Sequence, residues 1–130
     1  MTRWVLDASA AIRLFVPDGP LPAQVEDAID AAARGDDTLL APELLPAEVA
    51  QVLLKKERAG LLEPSEAAQV QQAIDELPVV LVSHRELLPG ANRLARAHGL
   101  TIYDALYLAL AKGRHAHLLT ADERLGAALR

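Results

Sequence analysis

Short apolar segments alternate with longer helical patterns along the whole of this 130-residue chain. The strand-like segments are RWVLD, DDTLLAP, PVVLVS and AHLLTAD. Within each segment the apolar residues are consecutive rather than alternating with polar ones, and no tight β-hairpin signal joins two of them. Such strands, separated by helices, are typical of a parallel sheet that is covered by helices on both faces. The sequence therefore predicts an α/β fold.

Seven helical segments are predicted between and after these strands. They are ASAAIRLFV, AQVEDAIDAAARG, ELLPAEVAQVLLKKERAG, LEPSEAAQVQQAIDEL, RELLPGANRLARAHG, YDALYLALAKG and ERLGAALR. Pro46 falls in a first turn, where proline is tolerated, and Gly35 and Gly60 mark helix ends. The chain has no internal repeat, low-complexity tract or linker, and its length suits one compact domain. We therefore predict a single domain over residues 1–130.

Composition and charge narrow the possible functions. Hydrophobic residues make up 52% of the chain, which argues against disorder, and there is no cysteine for a disulfide, a thiolate metal site or a nucleophile. No apolar run approaches the roughly 18 residues that span a bilayer, and no signal peptide is visible. We expect a soluble cytoplasmic protein with no membrane partner. The net charge of −5 argues against general affinity for nucleic-acid backbones, unless several of the acids surround a cation.

Four acidic residues occupy positions where parallel sheets form their sites. Asp7 closes the first strand, Asp122 follows the last one, and Asp104 lies in the first turn of its helix. Glu48 lies on the long third helix, at the edge of its apolar stripe. Because sites in open parallel sheets form at the carboxyl ends of the strands, we expect these four carboxylates to share one edge of the sheet.

Structural roles can also account for each acid taken singly. Asp7 could be a helix N-cap, and Glu48 could pair with Lys55 or Gln51. Capping-box spacing occurs twice, between Thr101 and Asp104 and between Thr120 and Glu123. These separate roles leave unexplained why the acids gather after buried strands.

Convergence of the four carboxylates would require a cation. Two unit charges about 4 Å apart repel by about 4 kcal/mol at an effective dielectric constant near 20. A cluster of carboxylate oxygens suits Mg²⁺ or Mn²⁺ rather than a soft metal. A divalent ion in such a site makes bound water easier to deprotonate and stabilises charge on phosphoryl oxygens. The pattern therefore predicts hydrolysis of a phosphodiester.

Four blocks of the sequence, VLDASA, PELLPAEVAQVLLK, TIYDALYLALA and LLTADERL, resemble those of PIN-domain proteins, and most closely the VapC-type toxins of bacterial toxin–antitoxin pairs. The resemblance implies a three-layer α/β/α sandwich around a parallel sheet of four to five strands. It also implies a Mg²⁺- or Mn²⁺-dependent endoribonuclease with Asp7, Glu48, Asp104 and Asp122 as its acidic residues. Ser9 and Thr120 match the hydroxyl residues that position the acids or a water molecule in that family.

The same resemblance implies partners. They are an RNA substrate, a cognate antitoxin whose tail blocks the acidic groove, a second copy of the chain, and promoter DNA reached only through the antitoxin. The chain departs from the family in two places. Gln51 stands where many relatives have asparagine, and no strand follows the last helix, which favours four strands over five.

Several other residues are candidates for binding the substrate or a metal. Arg13, Lys55 and Gln51 are candidates for contact with substrate, and Lys55 is favoured among the basic residues because it shares the helical face of Glu48. Tyr103 and Tyr107 could stack on a base, but core packing is favoured. His115 and His117 could invite zinc, but a solvated loop is favoured.

Two alternative functions stay open at the level of sequence. One is a PIN-fold binding or regulatory module without significant nuclease activity, although such a module would tolerate loss of an acid. The other is a metal-dependent DNase, because the residues do not separate RNA from DNA.

Overall fold

The computed structural model describes residues 1–129, and it contains all eleven predicted helices and strands. In chain order these are β1 (Arg3–Leu6), α1 (Ala8–Phe15), α2 (Val25–Ala33), β2 (Thr38–Pro42), α3 (Leu45–Arg58), α4 (Pro64–Asp75), β3 (Val79–Val82), α5 (His84–His98), α6 (Ile102–Gly113), β4 (His117–Leu119) and α7 (Glu123–Leu129).

One sheet with the strand order β3-β2-β1-β4 lies at the centre of the fold. All three strand pairs are parallel, with Val5 opposite Leu40 on one side and opposite Leu118 on the other. The sheet within residues 1–129 has four strands, the lower of the two numbers that the sequence predicted. Because β1 lies between β2 and β4, the residue that follows β1 is placed at the middle of the carboxyl edge of the sheet.

The helices form the two outer layers of an α/β/α sandwich. Helices α1, α2, α3 and α4 pack on one another, and α5, α6 and α7 form the second group. This arrangement follows from the strands, because each parallel connection must cross over the sheet through a helix. The predicted fold class is confirmed.

Helix α6 is the most deeply buried helix of the second layer. Leu106, Leu108 and Leu110 are each 2% exposed or less, and the helix packs on β1 and β2 as well as on α5 and α7. A helix that contacts a sheet and two other helices must be apolar on most of its circumference. This position explains the almost continuous apolar sequence of α6.

No helix among residues 1–129 combines the length and the hydropathy that crossing a membrane requires.

We expect the packing of α6 to dominate the stability of the fold. Leu108→Ala removes a side chain that is 0% exposed and should lower the free energy of unfolding by about 2–5 kcal/mol in urea denaturation. Leu61→Ala, at a side chain that is 70% exposed, is the matched control and should change it by about 0.5 kcal/mol or less. Equal effects of the two substitutions would contradict this account of the core.

Candidate functional site

One cavity of about 290 Å³, which we call the acidic cavity, is lined by all four predicted acids: Asp7, Glu48, Asp104 and Asp122. Each acid comes from a different part of the chain: the end of β1, the first turn of α3, the first turn of α6, and the connection from β4 to α7. The four predicted acids therefore meet at the carboxyl edge of the sheet, as parallel topology requires.

Asp7 is the most deeply buried of the four, at 4% exposed. Its Oδ1 accepts hydrogen bonds from the Ser9 hydroxyl at 2.7 Å and from the Ala10 N–H at 2.9 Å, and its Oδ2 accepts one from the Thr120 hydroxyl. Burial raises the pKa of Asp7, the three hydrogen bonds lower it in part, and the charge of Asp122 raises it further. Asp7 is thus both the N-cap of α1 and a member of the cavity, so the two predicted roles coexist.

Glu48 is held by Tyr107, whose hydroxyl donates a hydrogen bond to Oε1 at 2.8 Å. Burial raises the pKa of Glu48, the Tyr107 hydroxyl lowers it in part, and the charges of Asp104 and Asp7 raise it again. The alternative role, in which Glu48 pairs with Lys55 or Gln51, does not occur: both of those side chains are exposed and neither lines the acidic cavity.

The role of Tyr107 was missed at the level of sequence. Core packing was favoured for both tyrosines, and Tyr107 is indeed 1% exposed, but its hydroxyl reaches the cavity. The signal was its position three residues after Asp104, which places the two on one face of α6. Tyr103 is 60% exposed, so core packing is wrong for it.

Asp104 and Asp122 lie at the starts of two helices. Thr101 is the N-cap of α6 and accepts a hydrogen bond from the Asp104 N–H at 3.1 Å. Desolvation and the charge of Asp122 raise the pKa of Asp104, while Thr101 and Arg124 partly offset the increase.

Asp122 is oriented by the start of α7. Its Oδ1 accepts hydrogen bonds from the N–H groups of Arg124 and Leu125 at 2.9 and 3.3 Å. Asp122, rather than the predicted Thr120–Glu123 pair, therefore caps the start of α7.

Ser9 and Thr120 connect two of the acids. Besides its bond to Asp7, the Ser9 hydroxyl accepts from the Ala121 N–H at 2.9 Å, and the Thr120 hydroxyl accepts from the Asp122 N–H at 2.9 Å. The two hydroxyls lie 3.3 Å apart. They link the connection after β1 to the connection after β4, which fixes Asp7 and Asp122 relative to each other.

The basic residue of α3 that lines the cavity is Lys56, not the predicted Lys55. At about 100° per residue, Lys55 lies only about 20° from Glu48 around the helix, but two turns away along it. The cavity instead follows the inclined i, i+4, i+8 ridge of Glu48, Val52 and Lys56. Arg13, another of the predicted candidates, also lines the cavity.

His115 and His117 are exposed, as predicted, but His117 is the first residue of β4 rather than part of a loop. His115 has a φ of 52°, and the ring of His117 lies 5.1 Å from that of Trp4 at the opposite edge of the sheet from the acids. The pair has no contact with the acidic cavity.

The acidic cavity has the donor chemistry that suits a hard divalent cation. All four groups are carboxylates, and Glu48 Oε2 and Asp122 Oδ2 accept no hydrogen bond from residues 1–129. As they stand, no three acidic or histidine side chains within residues 1–129 lie close enough together to form a metal-binding group. The residues fit Mg²⁺ or Mn²⁺ in type and must move closer together to bind one.

Comparisons with known proteins find relatives both of the sequence and of the fold. The sequence pattern of the PIN domain matches residues 4–128. Ribonuclease VapC3 of Pyrobaculum aerophilum is 39% identical over 125 residues, covering 95% of this chain and 92% of the relative. Ribonuclease VapC3 of Mycobacterium tuberculosis is 36% identical over 129 residues, covering 95% and 85%. The crystal structure of PAE2754 from Pyrobaculum aerophilum superposes with a TM-score of 0.72 at 25% identity, covering 99% of this chain and 87% of that one.

The raised pKa of Asp104 predicts a characteristic dependence of stability on pH. Because the folded pKa lies above the usual value of 3.8, the native state holds this proton more strongly than the unfolded state does. The resulting stabilisation is present below about pH 4 and is lost as the pH rises through the folded pKa. Asp104→Asn, measured by urea denaturation in EDTA, should therefore raise the free energy of unfolding at pH 7 by up to about 1 kcal/mol, a limit set by solvent screening. The gain should shrink towards zero below pH 4.

Asp37 provides the control of opposite sign. The N–H groups of Thr2 and of the Trp4 indole lower the pKa of Asp37. Asp37→Asn should therefore destabilise the protein at pH 7. A gain from Asp37→Asn, or a loss from Asp104→Asn, would contradict the assigned pKa directions.

Proposed function

The chain belongs to the PIN domain family and to its VapC group, and on that basis we propose that it is a metal-dependent endoribonuclease that hydrolyses RNA phosphodiester bonds. The observation that carries the proposal is the meeting of four carboxylates from four separate elements in one cavity. Three of them, Asp7, Glu48 and Asp104, have raised pKa values to which neighbouring negative charges contribute. Such crowding is costly to a fold and is typical of functional sites. The similar proteins named as ribonucleases supply the reaction class.

In this proposal Asp7, Glu48, Asp104 and Asp122 hold Mg²⁺ or Mn²⁺. When bound, such a cation makes water easier to deprotonate and stabilises negative charge on phosphoryl oxygens. The acids provide the binding charge, and the raised pKa values of Asp7, Glu48 and Asp104 fall when a cation approaches, because an opposite charge favours the ionised form.

The neighbouring side chains position the acids. Ser9 and Thr120 hold the two oxygens of Asp7 from opposite sides, and Tyr107 holds Glu48. Hydrogen bonds of this kind orient metal ligands and limit their motion. Asp122 is oriented by the backbone of α7 in the same way.

We also propose that a cognate antitoxin inhibits the enzyme by filling the acidic cavity, that the chain forms a homodimer, and that promoter DNA is reached only through the antitoxin. The support is membership of the VapC group together with charge. A protein with a net charge of −5 and an acidic cavity has little direct attraction for duplex DNA. Positive charge on a segment that covers the four acids would favour its binding there.

Purified protein tests the reaction directly. Total cellular RNA should be cleaved in Mn²⁺ or Mg²⁺ and left intact in EDTA. Asp104→Asn should lower the rate by more than the about 10–100-fold that loss of an outer partner of a metal site costs. Single-stranded DNA, assayed in parallel under the same conditions, separates a ribonuclease from a DNase. Equal cleavage in EDTA, or by Asp104→Asn, would overturn the proposed role of the acids. No cleavage in either metal would favour a binding or regulatory module.

Tyr107→Phe tests the positioning of Glu48. Loss of the hydroxyl removes the hydrogen bond to Glu48 Oε1, so kcat/KM for RNA should fall about tenfold, with a parallel loss of apparent Mn²⁺ affinity in isothermal titration. Tyr103→Phe is the matched control, because Tyr103 lies one helical turn earlier on α6 and is 60% exposed. If Tyr107→Phe retained both the activity and the Mn²⁺ affinity of the control, Tyr107 would be a packing residue alone.

A further inference from the structure

The loop from Pro17 to Pro20, which follows α1, brings a fifth carboxylate to the rim of the acidic cavity. Asp18 forms an ion pair through Oδ2 with Lys56 of α3, and its Oδ1 lies 3.7 Å from Nε of Arg13 on α1. All three residues line the same cavity as the four acids. A single carboxylate therefore engages a cation from each of two helices, α1 and α3, that border the cavity.

The same loop encloses the guanidinium group of Arg13. Nη1 of Arg13 donates a hydrogen bond to the carbonyl oxygen of Pro20 at 3.1 Å. A Cβ atom at Gly19 would lie 2.6 Å from Cζ of Arg13. The absence of a side chain at Gly19 therefore lets the guanidinium rest against the loop backbone, where it faces Asp18.

The exposures of the three side chains differ in an informative way. The Lys56 side chain is 17% exposed and that of Arg13 is 29% exposed, whereas that of Asp18 is 43% exposed. The two cations thus form part of the cavity wall, while the Asp18 carboxylate lies on the solvent side of the cavity. Releasing Asp18 into water costs little because its charge regains hydration, whereas the two cations need another anion.

We propose that Arg13 and Lys56 form a subsite for a backbone phosphate of the RNA beside the bond that is cleaved, and that Asp18 occupies this subsite until RNA displaces it. The inference rests on the proposed ribonuclease function. A phosphodiester carries one negative charge and accepts hydrogen bonds through its oxygens, as a carboxylate does, so it is a direct competitor for both cations.

Asp18 is suited to this role because it stays ionised. The hydrogen bond from Lys56 lowers its pKa, with a smaller contribution in the same direction from the charge of Arg13. The carboxylate therefore competes at every pH near neutrality. It weakens binding at the subsite without touching the four acids, so it sets affinity rather than the rate of the chemical step.

Binding of fluorescein-labelled single-stranded RNA, measured by anisotropy in EDTA over a range of salt concentrations, tests the proposal. Asp18→Asn should bind about three- to tenfold more tightly, the range expected when one or two partly exposed ion pairs no longer compete. Arg13→Gln and Lys56→Gln should each weaken binding and make the slope of log K against log[salt] shallower by about 0.7. In the Arg13→Gln/Lys56→Gln background, Asp18→Asn should have no effect.

Asp36→Asn is the matched control. It removes one negative charge from an exposed ion pair, with Arg34 at 3.1 Å, on the turn between α2 and β2. RNA affinity should be unchanged in this variant. Equal tightening by Asp36→Asn, no tightening by Asp18→Asn, or tightening that persists in the double-substituted background would overturn the masking role of Asp18.

Steady-state cleavage in Mn²⁺ separates this inference from the proposed function. Asp18→Asn should lower KM and leave kcat unchanged. If RNA is cleaved but Asp18→Asn changes neither KM nor binding, the ribonuclease stands and the masked subsite is wrong. If Asp18→Asn tightens binding through Arg13 and Lys56 but no variant cleaves RNA, the subsite stands and the hydrolytic function falls. If Asp18→Asn binds no RNA, the subsite itself is overturned.

Discussion

A carboxylate buried at the end of the central strand is the constraint on which the site depends. Asp7 is 4% exposed, and an unpartnered charge at that depth would be costly to the fold. Ser9, Ala10 and Thr120 satisfy it with three hydrogen bonds. Thr120 belongs to the connection after β4, so the hydrogen bonds to one acid join the connection after β1 to the connection after β4. The position of Asp122 then follows, because the Thr120 hydroxyl also accepts from the Asp122 N–H.

The cavity stores unfavourable electrostatic energy that the rest of the fold must offset. Asp7, Glu48 and Asp104 each have a raised pKa, with desolvation as the largest cause and a neighbouring acid as a further one. The apolar packing of α6 against the sheet is the compensating source of stability, and it places Asp104 and Tyr107 in the cavity from the same helix. Stability and the proposed binding of a cation are therefore coupled through α6, a coupling common at functional sites.

The fold and the meeting of the four acids could be predicted because both depend on features that recur along the chain. Apolar runs and helix ends set the eleven elements, and parallel topology sends every acid that follows a strand to one edge. The hydroxyl contact of Tyr107 could not be read in this way, because a tyrosine within an apolar helix has the pattern of a core residue. Lys55 was preferred to Lys56 because helical periodicity gives the angle around a helix but not the line along which a neighbouring cavity runs.

The ion pair made by Asp18 could not be predicted from the sequence either, for a different reason. The loop sequence, PDGP, predicts a turn, but the contact of Asp18 with Lys56 joins residues 38 positions apart and depends on how α1 packs against α3. The result is a cavity with carboxylates within and two cations at its rim. This separation of charge reconciles a net charge of −5 with the proposed nucleic-acid substrate. A chain with that net charge must rely on a few local contacts to bind RNA, and in our proposal a carboxylate that competes for those cations makes binding depend further on the fit of the substrate.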